Sequence, residues 1–270
     1  IQGRSPQQIA AVQEHESHAR TLLITARQNL TLRIGPPAEA LERIEQLERD
    51  YADTAAAVAA PAVRGDALHA LRRFEEAKAA YQQVIDRVVP LAPRSPLAVR
   101  ARLRLPFAMM HRAAQLCEES IGDNVTGPAR IQAAREECLR VIEMPGEDGG
   151  SGHARARAML LEIDIFDDRP DRAEFYGEKF LREHYSRTRV VKGRVRHLDL
   201  EKHPQWVLVM HFCIADAAVM NGDYEKALAK FEHIKELVGE IPEESRRKLQ
   251  PLLQRIYLEH VLTMIRSKGN

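Results

Sequence analysis

The sequence holds few of the residues on which compact stapled folds, membrane spans and most catalytic sites depend. It has three cysteines, Cys117, Cys138 and Cys213, so at least one thiol stays unpaired and a disulfide framework is excluded. Cys117 and Cys138 are expected on neighbouring antiparallel helices joined around Asn124. That register sets Cys138 about seven residues, roughly 10 Å, from the position facing Cys117, beyond the ~7 Å that a disulfide spans. Three free, mostly buried thiols are the expectation. Aromatic residues make up only 5%, and Ala, Leu, Arg and Glu take their place, the composition of helices packed closely on helices. The net charge is +1, which gives no global field to draw the chain onto nucleic acid or an anionic membrane. Every apolar stretch is broken by charges within a few turns, which rules out a membrane-spanning helix. Residues Ile1 to Ser5 lead into a polar helix with no cleavable signal pattern. The missing initiator Met suggests a trimmed chain from which a targeting segment has been removed, leaving the compartment open.

Catalytic signatures are also missing. There is no Gly-rich phosphate loop, no serine elbow and no Cys/His pairing, so no catalytic residue, cofactor or metal ligand set is assigned and a non-enzyme is expected. His15 and His18 stand one turn apart on the first helix. They lack the His-Glu-x-x-His arrangement that pairs zinc with a general base, and a solvated helix face is the expected reading. Asp164, Asp167 and Asp168 cluster beside Arg169. At a turn between helices they are expected to cap the next helix, whose first turn favours negative charge.

A repeat is present. A small Ala, a bulky residue four positions on and an apolar residue three further recur as Ala40, Ile44, Leu47; as Ala77, Tyr81, Val84; as Ala134, Cys138, Val141; and as Ala227, Phe231, Ile234. A fifth copy, Ala173, Gly177, Phe180, has Gly in place of the bulky residue. On a helix these positions share one face: the Ala lets a partner helix approach and the larger pair fills the groove beyond. The turn ahead of this helix is marked too. Gly222-Asp223-Tyr224 ends one helix with a residue suited to φ > 0 and restarts with a capping Asp; Leu71-Arg72-Arg73-Phe74 keeps the aromatic without the Gly.

These signatures resemble the tetratricopeptide repeat, a helix–turn–helix unit of about 34 residues. The stretch from Gly222 to Phe231 matches best, and Ala67 to Val84 next. The Tyr51 to Thr54 junction is similar to repeats of bacterial envelope proteins of this family, among them outer-membrane assembly lipoproteins and periplasmic cell-wall coordinators. The resemblance implies an all-α fold, a right-handed α-solenoid of about five antiparallel helix pairs plus a C-terminal capping helix, as one domain over residues 1–270. Two intervals exceed the family period, one through a long helix pair containing Pro106 as an expected kink or break, the other through an irregular insertion at 186–204. The expected pairs are 6–33 with 37–51, 55–71 with 74–88, 97–120 with 128–143, 153–167 with 170–184, and 205–221 with 223–238, then a helix 242–267 kinked near Pro251. A hinge is expected at 145–152.

The resemblance further implies a concave groove lined by the first helix of each pair, holding another protein or a peptide segment. Groove positions carried over are Val209, Phe212, Asp216 and Met220 in the fifth pair, Arg155 and Glu162 in the fourth, and Asp66 and His69 in the second. The Lys/Asn clamp that some members use for a terminal carboxylate is absent there, and the mixed apolar and acidic lining suits an amphipathic helix or a basic–apolar segment. A second candidate is the basic stretch 187–197, with Arg187, Arg189, Lys192, Arg194 and Arg196. Its alternating Val and Arg about Lys192-Gly193 fit a small β-hairpin. It reads either as an arm for an anionic polymer or lipid headgroup or as a solvated connection packed by its Val residues. No aromatics interleave with its cations, which disfavours nucleic acid held by stacking. Oligomeric state is not legible.

Overall fold

A computed structural model describes residues 5–145, 151–186, 188–191 and 194–269. The expected hinge residues 146–150, and Arg187 and Lys192 of the basic stretch, lie outside them. The chain divides into two compact units, Ile1–Arg112 and Ala113–Asn270, with the division inside one long helix. Each is an all-α solenoid segment.

Unit 1 contains α1 (Pro6–Leu32), α2 (Pro37–Asp50), α3 (Ala55–Ala70), α4 (Phe74–Val88) and the first part of α5 (Pro96–Ser120). Local chemistry sets the starts. Ser5 and Gln8 form a reciprocal capping box on α1, and Thr54 accepts from the Ala57 N–H ahead of α3. Helix α1 packs on α2 and on α3, and α2 packs on α3. The front of α5 closes the unit, with Ala101 against Ala62 of α3 and Val84 of α4. Pro106 lies inside α5 and does not end it, and α3 likewise continues through the buried Pro61.

Unit 2 contains the rest of α5, α6 (Gly127–Glu143), α7 (Ser151–Phe166), α8 (Pro170–His184), β1 (Thr188–Val191), β2 (Arg194–His197), α9 (Leu198–Lys202), α10 (Pro204–Met220), α11 (Tyr224–Glu240), α12 (Glu243–Lys248) and α13 (Gln250–Gly269). The triangle of contacts seen for α1, α2 and α3 recurs for α7, α8 and α10, and again for α10, α11 and α13. Each first helix thus touches its own partner and the next first helix, and the partner touches that next helix too. Such nearest-neighbour stacking is how a solenoid covers its apolar stripes. All five copies of the repeated triplet are buried, from Ala40, Ile44 and Leu47 to Ala227, Phe231 and Ile234. Gly177 stands where the other copies are bulky because Ile214 of α10 comes in there: a Cβ on Gly177 would lie 2.6 Å from Ile214 Cγ1.

The turns repeat as well. In three of them the N–H of Arg73, Arg169 or Asp223 bonds 2.9 Å to the carbonyl five residues back, at Leu68, Asp164 and Ala218. This is the Schellman closure of a helix. The residue before each donor is left-handed: Arg72 at φ 60°, Asp168 at φ 54° and Gly222 at φ 76°. Side chains at two of these positions hide from the sequence a turn the backbone makes three times.

The expected hairpin is present, with Thr188 opposite His197 and Val190 opposite Val195. It is the one sheet among the described residues. The short α9, not foreseen, follows it and buries Asp199 and Leu200. The expected kink near Pro251 is a break two residues earlier, at Leu249, between α12 and α13. Pro251 then sits in the first turn of α13, where its missing N–H has no helical partner to lose.

Candidate partner groove

Three first helices and the end of α5 meet around a pocket of about 350 Å³ in unit 2. Its wall includes Cys117 from α5 and Ile121 from the turn after it, Met159, Glu162 and Phe166 from α7, Phe212, Cys213 and Asp216 from α10, and Arg255 from α13. The helical period explains the selection, since Met159, Ile163 and Phe166, and likewise Phe212 and Asp216, follow three- and four-residue steps along one face. Phe212 forms the floor, 3% exposed, while Ile121 and Phe166 are 71% and 61% exposed at the rim.

The charges are set apart from one another. Neither Glu162 nor Asp216 forms a hydrogen bond or ion pair within 4 Å among the described residues, yet both carboxyls are held above the ordinary carboxylate range. For Glu162 the cause is burial among protein atoms, opposed by Arg255 and Arg155. For Asp216 it is burial and then the neighbouring Glu259, opposed by Arg255 and Arg266. Glu162 nevertheless keeps solvent contact, as a carboxylate in a concave surface does. The Arg255 guanidinium lies 4.9 Å from the Phe212 ring centroid, a cation–π stack. With Glu118 the pocket carries three carboxylates against one guanidinium. Burial raises the Cys117 thiol to about 11, followed by the fields of Glu162 and Glu118. Cys138 and Cys213 are buried with their thiols raised by desolvation first, and all three cysteines are free.

Of the groove positions expected from sequence, Glu162, Phe212 and Asp216 meet here. Met220 is exposed one turn beyond Asp216, and Val209 is packed in the core at 6% exposure. Arg155 stacks 5.7 Å from the Trp206 ring. In unit 1 the expected positions are engaged internally. Asp66 accepts from the Tyr81 hydroxyl at 2.8 Å and from Arg100, with Arg104 at 3.7 Å. His69 Nε2 lies 2.8 Å from His111 Nδ1, and Phe74 stacks on the His111 ring. Arg255 was not foreseen: α13 reads as an end cap, and only the packed register shows that one turn of it reaches the groove.

The remaining sequence features take structural places. His15 bonds to Asp53 at 3.0 Å and rests on Tyr51, and His18 is exposed. The aspartate cluster does not cap α8, contrary to expectation, because Arg169 holds the N-cap position without a side-chain bond. Instead Asp164, fully buried, and Asp167 receive Arg135 of α6 at 2.7 and 3.1 Å. A buried guanidinium outcompetes the cap because it has few other acceptors. Among the described residues no helix is long and apolar enough to cross a membrane.

No protein-family model matches the chain, and no curated protein matches it.

Proposed function

We propose that this protein is a non-enzymatic scaffold of the tetratricopeptide-repeat type whose unit 2 groove holds a basic–apolar segment of a partner protein. The observation that supports this is the pairing of two poorly compensated carboxylates, Glu162 and Asp216, with an aromatic floor at Phe212. An incoming Lys or Arg meets both carboxylates, relieves the cost of their ionisation, and brings its apolar neighbours onto Phe166 and Ile121. Because binding favours the ionised carboxylates, affinity rises with pH above the ordinary carboxylate range and levels off once both groups are charged in the free protein.

The test is calorimetric titration with two amphipathic peptides of one apolar pattern, one carrying Lys and Arg, the other Glu. The basic peptide binds. E162Q/D216N weakens it by about 1–2 kcal/mol, the scale of removing charge complementarity from a solvated interface. Equal binding of the acidic peptide, or no response to E162Q/D216N with the fold intact by circular dichroism, refutes the reading. Arg255 discriminates further. As a competing internal cation, its change to Gln strengthens binding of the basic peptide.

A second reading is favoured by one observation. The hairpin register sets Arg189 opposite Arg196, which brings two cationic residues of the basic stretch to one cross-strand position. Binding of an anionic polymer or lipid headgroup there falls steeply with salt, and R189Q/R196Q abolishes it.

A further inference from the structure

Unit 1 carries a separate pocket that the partner groove does not use. Helices α2, α3 and α4, with the turn after α4, enclose about 720 Å³, within the size range of small-molecule sites. Most of its lining is aliphatic. Val84 and Val88 come from one face of α4, Val58 and Pro61 from α3, and Leu91 from the turn. Val58 and Leu91 are 59% and 86% exposed, which leaves apolar surface facing the opening.

The polar part of the wall is cationic. Arg64 is held from two sides, donating 2.8 Å to Glu48 and 2.6 Å to Gln83. Those two bonds use two of its five N–H donors, and its side chain keeps 29% of its surface exposed. Glu48 balances that charge. Arg87 has no such balance: it lines the same pocket, is exposed, and makes no hydrogen bond or ion pair among the described residues. Its position is not independent of Arg64. Gln83 and Arg87 are i and i+4 on α4, neighbours on one helix face, so the residue that fixes Arg64 stands one turn from the base of Arg87. Two guanidiniums face one carboxylate beside an aliphatic wall.

We propose that this pocket binds a small amphipathic organic anion, an aliphatic chain ending in a carboxylate or a phosphate monoester. The head lies between Arg87 and the uncommitted donors of Arg64, and the chain lies along Val58, Val88 and Leu91. Guanidinium suits both heads because its planar fork donates to the oxygens of either in bidentate fashion.

The test uses the intact protein with decanoate, decyl phosphate, decanol and decyltrimethylammonium as probes in calorimetry. Decanoate and decyl phosphate bind, and decanol and the cation bind at least about tenfold more weakly, the scale of one charge-assisted hydrogen bond. Tighter decanoate assigns a fatty-acid-like ligand, and tighter decyl phosphate assigns a phosphorylated one. R87Q costs about tenfold on the same scale without disturbing the fold, since Arg87 holds nothing in place. Val58→Glu, at an exposed position, repels both anions. Equal binding of decanol or of the cation overturns the proposal, as does unchanged affinity in either R87Q or Val58→Glu.

Discussion

Gly65 lies in the middle of α3, and replacing it with alanine is expected to destabilise unit 1 even though alanine is the better helix former. An added Cβ would stand 2.6, 2.8 and 2.9 Å from Cε1, Cδ1 and Cζ of Tyr81, far inside the ~3.5–4.0 Å of a favourable carbon contact. The ring has little freedom to withdraw. Tyr81 is 1% exposed, and its hydroxyl donates to Asp66 at 2.8 Å. Relief of backbone entropy in a helix favours alanine by about 1 kcal/mol. Overpacking opposes it by about 1–3 kcal/mol, and loss of the hydroxyl's bond to a carboxylate adds about 1.5–3 kcal/mol if the ring shifts. The net expectation is a loss of up to about 2 kcal/mol if the Tyr81 bond survives and about 1.5–5 kcal/mol if it is lost, read as a lower midpoint in urea denaturation followed by circular dichroism. Two comparisons isolate the cause. Gly239, late in α11, has nothing within 4 Å of a built Cβ, so Gly239→Ala stabilises by about 0.5–1 kcal/mol. In a Tyr81→Leu background the methyl finds room, and the penalty of Gly65→Ala shrinks or reverses. A Gly65→Ala midpoint at or above wild type, or the same penalty without the Tyr81 ring, would show that the close approach of α3 and α4 does not work this way.

Other expectations follow from single contacts. Arg72→Gly relieves a left-handed non-glycine residue and stabilises unit 1 by about 1 kcal/mol, measurable by the same denaturation. Arg135→Met strips the buried Asp164 of its 2.7 Å partner, leaving Arg172 at 3.8 Å; breaking such a pair costs about 3–5 kcal/mol, and Arg135→Met with Asp164→Asn recovers part of it. His260, 3% exposed and stacked 5.3 Å from the Phe231 ring, has its pKa lowered from 6.5 by burial first and Lys235 second, against Glu232. The native state therefore disfavours the imidazolium. Its share of stability is full above pH 6.5 and is lost as pH falls below it toward the lowered native value. The difference in melting temperature between pH 7.5 and pH 5 is accordingly smaller in His260→Gln than in wild type, and an unchanged difference counts against the assignment.

Much of the fold is legible in the sequence because period and punctuation are local. The triplet beginning at Ala40 and its four copies marks the helix face that each neighbour buries, and turn residues such as Gly222 and Asp223 place helix ends within a residue or two of those observed. The groove is legible only in part. Glu162, Phe212 and Asp216 follow from the repeat resemblance laid onto α7 and α10, whereas Arg255 depends on how α13 lies against α11 and α10, a register no local pattern specifies. The aspartates at 164 and 167 mislead for a related reason. Near a turn their local option is a cap, and their actual partner, Arg135, is 29 residues away from Asp164.

The sequence alone determined that this chain is helical, where most of its long helices start and stop, and which face of the repeated helices is apolar, because those properties depend on spacings of three and four residues and on the conformational range of single turn residues. The tertiary structure decided which charges stay uncompensated. Asp66 and Asp216 hold comparable positions in their repeats, yet Asp66 is met by Tyr81 and Arg100 while Asp216 faces an open pocket. That difference comes from side chains far apart in sequence brought within a few ångströms, where charge acts strongly with distance and burial, and neither is written in the order of residues.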